Sequence, residues 1–264
     1  IRPIVFKQIK ENFGGQFPTM SCGGAPARGD HIKFLSELGF KIISGYGMTE
    51  CSPTITLHRD GRNIHIIGRS LHGGKISIIG DMIEAGSYLT LGLMCGAEIK
   101  VKNSPVSHMD SFFDAADSLG AVIRIEDGDI TLRAEEGRFF SVTTAPYPGF
   151  PTDLQPIVAP LMACFSGGEI TDTVWPSRFG YLKALSAFGV LSSVKENTAH
   201  IYRSKITSGS AYAPDLRGGM ACLMTALAAS GQSEIRSLDT ILRGYENLYK
   251  KLRAIGADIK ILDT

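Results

Sequence analysis

One block of sequence occurs three times in this chain, and a repeat of that length leaves few folds open. Three segments begin with Asp and continue as an apolar, small-residue helix: "DMIEAGSYLTLGLMCGAEI" from Asp81, "DLQPIVAPLMACFSGGEI" from Asp153 and "DLRGGMACLMTALAASGQSEI" from Asp215. Each helix stops at a glycine (Gly96, Gly167, Gly231), the residue that enters the left-handed region most freely. A short strand follows each. Then comes a second helix, "HMDSFFDAADSLGA", "RFGYLKALSAFGV" or "RGYENLYKKLRAIGA", ending near Gly120, Gly189 or Gly256. Extended stretches follow the first two: "AVIRIEDGDITLRA" turns at "EDGD", and "SSVKENTAHIYR" turns at "KEN".

The expected unit is therefore helix, strand, helix, strand, strand, three times over at roughly 60 to 70 residues. Such units pack side by side and share one core. The first helix of each is apolar on most faces, so it belongs at the centre, with strands and second helices outside. The fold class expected is α/β, with helices inside and sheets around them, over residues 61–264. Residues 1–60 read as a separate short α/β segment. There "HIKFLSELGF" has helical spacing behind Asp30, and "KIISGYG" is a short strand entering a turn. The boundary is placed near Asp60.

Composition excludes more than it proposes. Formal net charge is +1 over 264 residues, so no global field recruits nucleic acid or an anionic membrane, and any anion site must be local. No run of eighteen apolar residues exists to span a bilayer, and no signal peptide is visible. Cys22, Cys51, Cys95, Cys164 and Cys222 form no CxxC pair and no metal-ligand spacing, so no metal is expected. Reduced, mostly buried thiols in a cytoplasmic protein are the expectation.

The polar residues fall in repeat register. Asp81, Asp153 and Asp215 start the central helices, where Asp is a favoured N-cap worth about 1 kcal/mol. Arg178 and Arg243 open their second helices, where the first unit has His108, and Arg217 lies in the first turn of its helix. A cation there opposes the macrodipole at a cost of about 0.3 to 1 kcal/mol. Two explanations stay open: a bound anion held by helix N–H groups and guanidinium forks, or structural ion pairs with Asp153, Asp215 or Glu246.

"TTAPYPGFPTDLQPIVAPL", "ITDTVWPSRF", "APDLRGGMACLMTALAASG" and "ILRGYENLYKKLRAIGADI", in that order, resemble the enolpyruvyl transferases that act on UDP-N-acetylglucosamine. "IEAGSYL" and "LGAVI" extend the likeness upstream, over about 200 residues. The resemblance implies an inside-out α/β barrel, no cofactor, and two small-molecule ligands, phosphoenolpyruvate and UDP-N-acetylglucosamine. It also implies transfer of the enolpyruvyl group to the 3′-hydroxyl in peptidoglycan synthesis. Asp153 would then accept the hydroxyl proton, and Val174 would line the UDP-sugar site. Asp215 and Arg217 would organise the reacting centre. Arg178 and Arg243 would hold the phosphate and carboxylate of phosphoenolpyruvate. The chain departs from the family pattern at Met82, usually arginine, and at Thr240–Leu242, where "HID" is usual. "PSRF" stands for "ENRF", and "DLRGGMA" for "DLRASAS". A reactive cysteine, a substrate-binding lysine and a mobile loop belong to a first domain not found here. A non-catalytic UDP-sugar-binding relative is the alternative expectation.

"SCGGAPARGDHIKFLSELGFKIISGYGMTECSP" resembles a fragment of the adenylate-forming acyl-CoA synthetases. By that resemblance Tyr46, Thr49 and Glu50 would be vestigial adenine, phosphate and magnesium contacts. An acyl-adenylating fragment is a third expectation.

Overall fold

The computed structural model describes residues 77–134 and 137–262, together with the backbone of three strands nearer the N-terminus. The chain divides into two compact units, Ile1–Ile76 and Ser77–Thr264. In the first, β1 (Thr19–Cys22) pairs in parallel with β2 (Lys41–Tyr46), which pairs antiparallel with β3 (Thr56–Leu57). The strand expected in "KIISGYG" is β2. The helix expected in "HIKFLSELGF" lies outside the described residues, as do the side chain of Tyr46 and all of Thr49 and Glu50.

The second unit is the repeat. Its central helices are α1 (Met82–Met94), α3 (Gln155–Cys164) and α5 (Leu216–Ala228), and each packs on the other two. Helix α3 is buried from Gln155 to Ala163, and α1 from Met82 to Leu93 except at Glu84. Small residues let these helices approach. A Cβ on Gly86 of α1 would lie 2.8 Å from Leu154 at the start of α3. The second helices α2 (Asp110–Leu119), α4 (Tyr181–Leu185) and α7 (Leu248–Ala254) lie outside them. A four-residue helix, α6 (Asp239–Leu242), precedes α7.

Three sheets cover the helices. In the first, β4 (Ile99–Val101), β6 (Asp129–Ala134) and β5 (Ala121–Glu126) are antiparallel. The second is ordered β7 (Phe140–Thr144), β8 (Gly168–Asp172), β10 (Thr198–Tyr202), β9 (Leu191–Lys195). The third holds β11 (Ser210–Tyr212) and β12 (Glu234–Arg236) in parallel. Helices lie inside and sheets outside, as the repeat requires.

Two details differ from the expected unit. In the second and third units a strand precedes the central helix, β7 or β11, and pairs in parallel with the strand after it. In the third unit no strand follows α7 among the described residues. All six helix-ending glycines take positive φ: 62° at Gly96, 93° at Gly120, 83° at Gly167, 84° at Gly189, 97° at Gly231 and 96° at Gly256. The "EDGD" turn has Asp127 and Gly128 both at positive φ, as a two-residue hairpin matched to strand twist requires. Of the described cysteines, Cys222 is buried, Cys164 half-buried and Cys95 exposed, which departs from the expected burial at Cys95. Burial pushes the Cys164 and Cys222 thiols up to about 12.

Two glycines in equivalent positions separate conformation from packing. A Cβ at Gly96 meets nothing within 4 Å, whereas at Gly167 it would lie 2.7 Å from the carbonyl oxygen of Ile201. Gly96→Ala should cost about 1 kcal/mol, the left-handed penalty alone, and Gly167→Ala roughly 3 kcal/mol. Urea unfolding of the two variants checks the difference.

Candidate active site

The loops that precede α3 and follow β8 meet at one buried carboxylate. Asp172, fully buried at the end of β8, accepts five hydrogen bonds. Thr144 Oγ1 donates at 2.7 Å, Thr152 Oγ1 at 2.6 Å and Gln155 Nε2 at 3.3 Å. The backbone amides of Val174 and Trp175 donate at 3.0 and 2.7 Å. Thr152 and Gln155 flank Asp153, so Asp172 fixes the loop that carries it. The two amides turn the chain after β8, and that turn carries Val174 and Arg178. Gln155 Nε2 also donates to the Arg178 carbonyl at 3.1 Å, tying the two loops directly.

This scaffold places Asp153 between two guanidinium groups. Arg178 Nη1 lies 2.6 Å from Oδ1, and Arg217 Nε lies 3.2 Å from Oδ2. The side chains are 21%, 20% and 11% exposed for Asp153, Arg178 and Arg217, so the cluster is shielded yet open on one side. Burial opposes ionisation of Asp153, but Arg178 and then Arg217 outweigh it and hold the carboxyl below its usual range. Each guanidinium also lies over an aromatic ring, Arg178 over Trp175 at 5.8 Å and Arg217 over Tyr245 at 5.4 Å.

The repeat register therefore means different things at its three aspartates. Asp81 and Asp215 are N-caps: Asp81 accepts from the amides of Ile83 and Glu84, and Asp215 from those of Arg217 and Gly218. Asp153 is not. The cap of α3 is Leu154, with no side-chain bond, which leaves the Asp153 carboxylate free to face the arginines.

The macrodipole argument holds only for Arg217. Arg178 lies in the turn before α4, because α4 starts at Tyr181, and Arg243 is the C-cap of α6, where its charge agrees with the dipole. Of the two explanations for the arginines, the ion pair is the one present at Arg178 and Arg217, both on Asp153. The Arg243 side chain is exposed and, among the described residues, makes no hydrogen bond or ion pair. Asp153, Arg178 and Arg217 thus form one cluster, while Val174 is held by its backbone amide on Asp172. Asp215 serves its own helix, and Arg243 stands two residues from Tyr245.

Two of the departures from the family pattern, Met82 and Gly219, are packed, whereas Pro176, Ser177 and Leu242 are exposed. Met82 is buried in the core, at 6% exposure. Gly219 lies against Ile241, and a Cβ there would come within 2.8 Å of it. A separate groove of about 390 Å³ beside α1 is lined by Glu84, Tyr88, Lys100, Lys102 and Lys251. Lys100 is paired with Asp129 and Lys251 with Glu84, so most of its positive charge is already spoken for. Among the described residues no cluster of His, Cys, Asp and Glu has the arrangement of a metal site.

Sequence reading missed Asp172, Gln155, Tyr245 and Ser87. "TDT" at the end of an alternating strand is an Asx-turn signal, but its role as a hub needs the contact of Thr144 and Thr152, 28 and 20 residues away. Asp172→Asn turns one acceptor oxygen into a donor facing other donors, and should lower stability by about 2–4 kcal/mol in urea unfolding. Asp153 gives a pH signature. Its folded-state carboxyl titrates below the unfolded one, near about 3.9. Its stabilising contribution is therefore complete above that value and is lost as pH falls through the folded one. Asp153→Asn should flatten the acid limb of stability against pH, measured by thermal unfolding between pH 2 and pH 6.

With this geometry in hand, the comparisons with known proteins are specific. The profile of the EPSP synthase (3-phosphoshikimate 1-carboxyvinyltransferase) family matches residues 29–252, reaching upstream of Asp60. The chain is 34% identical over 198 residues to UDP-N-acetylglucosamine 1-carboxyvinyltransferase 1 of Streptococcus agalactiae, covering 74% of this chain and 47% of that protein. It is 37% identical over 194 residues to UDP-N-acetylglucosamine 1-carboxyvinyltransferase of Kosmotoga olearia, covering 72% and 46%. Among solved structures, the enolpyruvyl transferase NikO from Streptomyces tendae superposes with a TM-score of 0.65 at 27% identity, over 70% of this chain and 45% of that one. EPSP synthase from Acinetobacter baumannii shares the fold alone, with a TM-score of 0.55 at 15% identity. The chain spans about half the length of the curated relatives it matches. By the profile match over most of its length, and by a fold of three helix-centred repeats, the chain belongs to the EPSP synthase family of enolpyruvyl transferases.

Proposed function

We propose that this chain supplies one half of an enolpyruvyl transferase that moves the enolpyruvyl group of phosphoenolpyruvate to UDP-N-acetylglucosamine, in the cytoplasm, for peptidoglycan synthesis. The observation that carries the reading is the Asp153 carboxylate held between Arg178 and Arg217. The names of the relatives support UDP-N-acetylglucosamine as the acceptor of a carboxyvinyl group.

In this reading Asp153 accepts the proton of the sugar 3′-hydroxyl. A carboxylate flanked by two cations is a poor base, and the same cations supply the remedy. When a phosphate or carboxylate of phosphoenolpyruvate engages Arg178, the pull of that guanidinium on Asp153 relaxes and its basicity rises. Asp153 thus gains strength as a base when substrate is present. Arg217 stays in place beside it through Asp215, whose carboxylate fixes the first turn of α5. Arg243, exposed and unpaired, is the further cation for substrate charge, and Val174 lines the UDP-sugar side. A first transferase domain is the partner needed to close the site and to bring the remaining substrate contacts.

The second reading is a UDP-sugar binder without turnover. Met82 favours it, because a core methionine stands where relatives place a cation. Phosphate release from phosphoenolpyruvate separates the two. The chain mixed with the first domain of a related UDP-N-acetylglucosamine 1-carboxyvinyltransferase should release phosphate only when UDP-N-acetylglucosamine is added. Asp153→Asn should slow this by about 10²–10⁴-fold. No release, with calorimetric binding of UDP-N-acetylglucosamine retained, would leave the second reading standing.

A further inference from the structure

We infer that Tyr245 is a positioning residue, acting through Arg217 to set the geometry and charge state of Asp153. This deepens the reading above and rests on it for its consequence in catalysis, while the contacts themselves stand apart from that reading.

Hydrogen bonding alone does not hold Arg217 where it lies. Its Nη1 is buried and has no hydrogen-bond partner among the described residues, a costly condition for a charged group. Its link to Asp153 runs through Nε, 3.2 Å from Oδ2. A guanidinium fastened at one edge and unsatisfied at another swings towards water unless something fixes its plane. The ring of Tyr245 does so, with the guanidinium carbon 5.4 Å from the ring centroid, inside the range of a cation–π contact in a desolvated site. Tyr245 is itself buried, at 2% exposure.

The phenol is anchored in turn. Ser87 Oγ donates to the carbonyl of Ile83 at 2.7 Å, which commits its single proton. At the 2.9 Å contact between Ser87 Oγ and the Tyr245 hydroxyl, Tyr245 must therefore be the donor. Burial keeps this phenol protonated against the opposing pull of Arg217 and Ser87, so the donation persists at working pH.

The result is a chain from Ser87 on α1, through Tyr245 and Arg217 of the third unit, to Asp153 and Arg178 of the second. It joins all three repeats at the mouth of the cluster. Without the ring, Arg217 gains freedom to leave Asp153, and the carboxyl rises towards its ordinary range.

The test is carboxyl-carbon NMR titration of Asp153 in the full chain, assigned with Asp153→Asn, together with solvent exchange of the Arg217 Nε–H. Tyr245→Leu should move the Asp153 midpoint upward and speed exchange of the Nε–H, with the backbone amides of α5 still protected. Tyr245→Phe, which keeps the ring and loses the hydroxyl with its contacts to Ser87 and Arg217, should shift the midpoint less than Tyr245→Leu. Should Tyr245→Leu fail to fold, Ser87→Ala must move the midpoint in the same direction as the Phe variant. A folded Leu variant with an unmoved Asp153 midpoint would overturn the inference, as would unmoved midpoints in both the Phe and Ser87→Ala variants. Failure of phosphate release alone would count against the catalytic reading and leave these titrations unchanged.

Discussion

The cluster depends on one buried carboxylate that takes no part in it. Asp172 has no cation beside it. Its charge is met by two threonine hydroxyls, one carboxamide and two backbone amides. A buried charge without such donors costs several kcal/mol, so each donor is strongly constrained. Those constraints are what bind the Thr152–Asp153 loop to the Val174–Arg178 turn. A looser arrangement, with the same residues at the surface, would leave Asp153 and Arg178 to meet only part of the time, as exposed pairs do.

The repeat explains why such a hub exists in one unit and not in the others. All three central helices need their first turn satisfied, and a small polar residue ahead of the helix is the cheapest way. Asp81 and Asp215 do this work directly. In the second unit Leu154 takes the cap position and Pro156 follows inside the helix, lacking one of the amides that would otherwise need an acceptor. Asp153 is thereby released from capping and can pair with arginines from two different units. One local change in a threefold pattern thus turns a capping aspartate into one that pairs with two guanidiniums.

Much of this was legible in the sequence. The helices, their glycine stops, the hairpin at "EDGD" and the inside-out layering follow from periodicity and from residues with special backbone freedom, which act locally. The grouping of Asp153 with Arg178 and Arg217 came from resemblance, and the reason for it did not. Helix register put Arg178 and Arg243 at helix starts, but "WPSRFG" forms a turn, which delays α4 to Tyr181, and the second helix of the third unit, α7, begins only at Leu248. The strands ahead of α3 and α5 escaped notice because β7 and β11 are five and three residues long and gain their hydrogen bonds from partners more than twenty residues away. Asp172 and Tyr245 escaped for the same reason: their partners are distant in sequence, and the significance of each lies wholly in those partners.

The pairing of Asp153 with two guanidiniums has a further consequence for energetics. Two guanidiniums brought this close repel one another, and the Asp153 carboxylate between Arg178 and Arg217 offsets that repulsion. Replacing one carboxylate–guanidinium bond by a phosphate–guanidinium bond is close to an exchange of like for like. In the proposed reaction, the free energy that would otherwise go to desolvating two bare cations would remain for the chemical step. The same exchange would strip Asp153 of a cation when a proton acceptor is required. Binding and basicity would in this way be coupled through one side chain, Arg178, whose position is set by the turn that Asp172 holds.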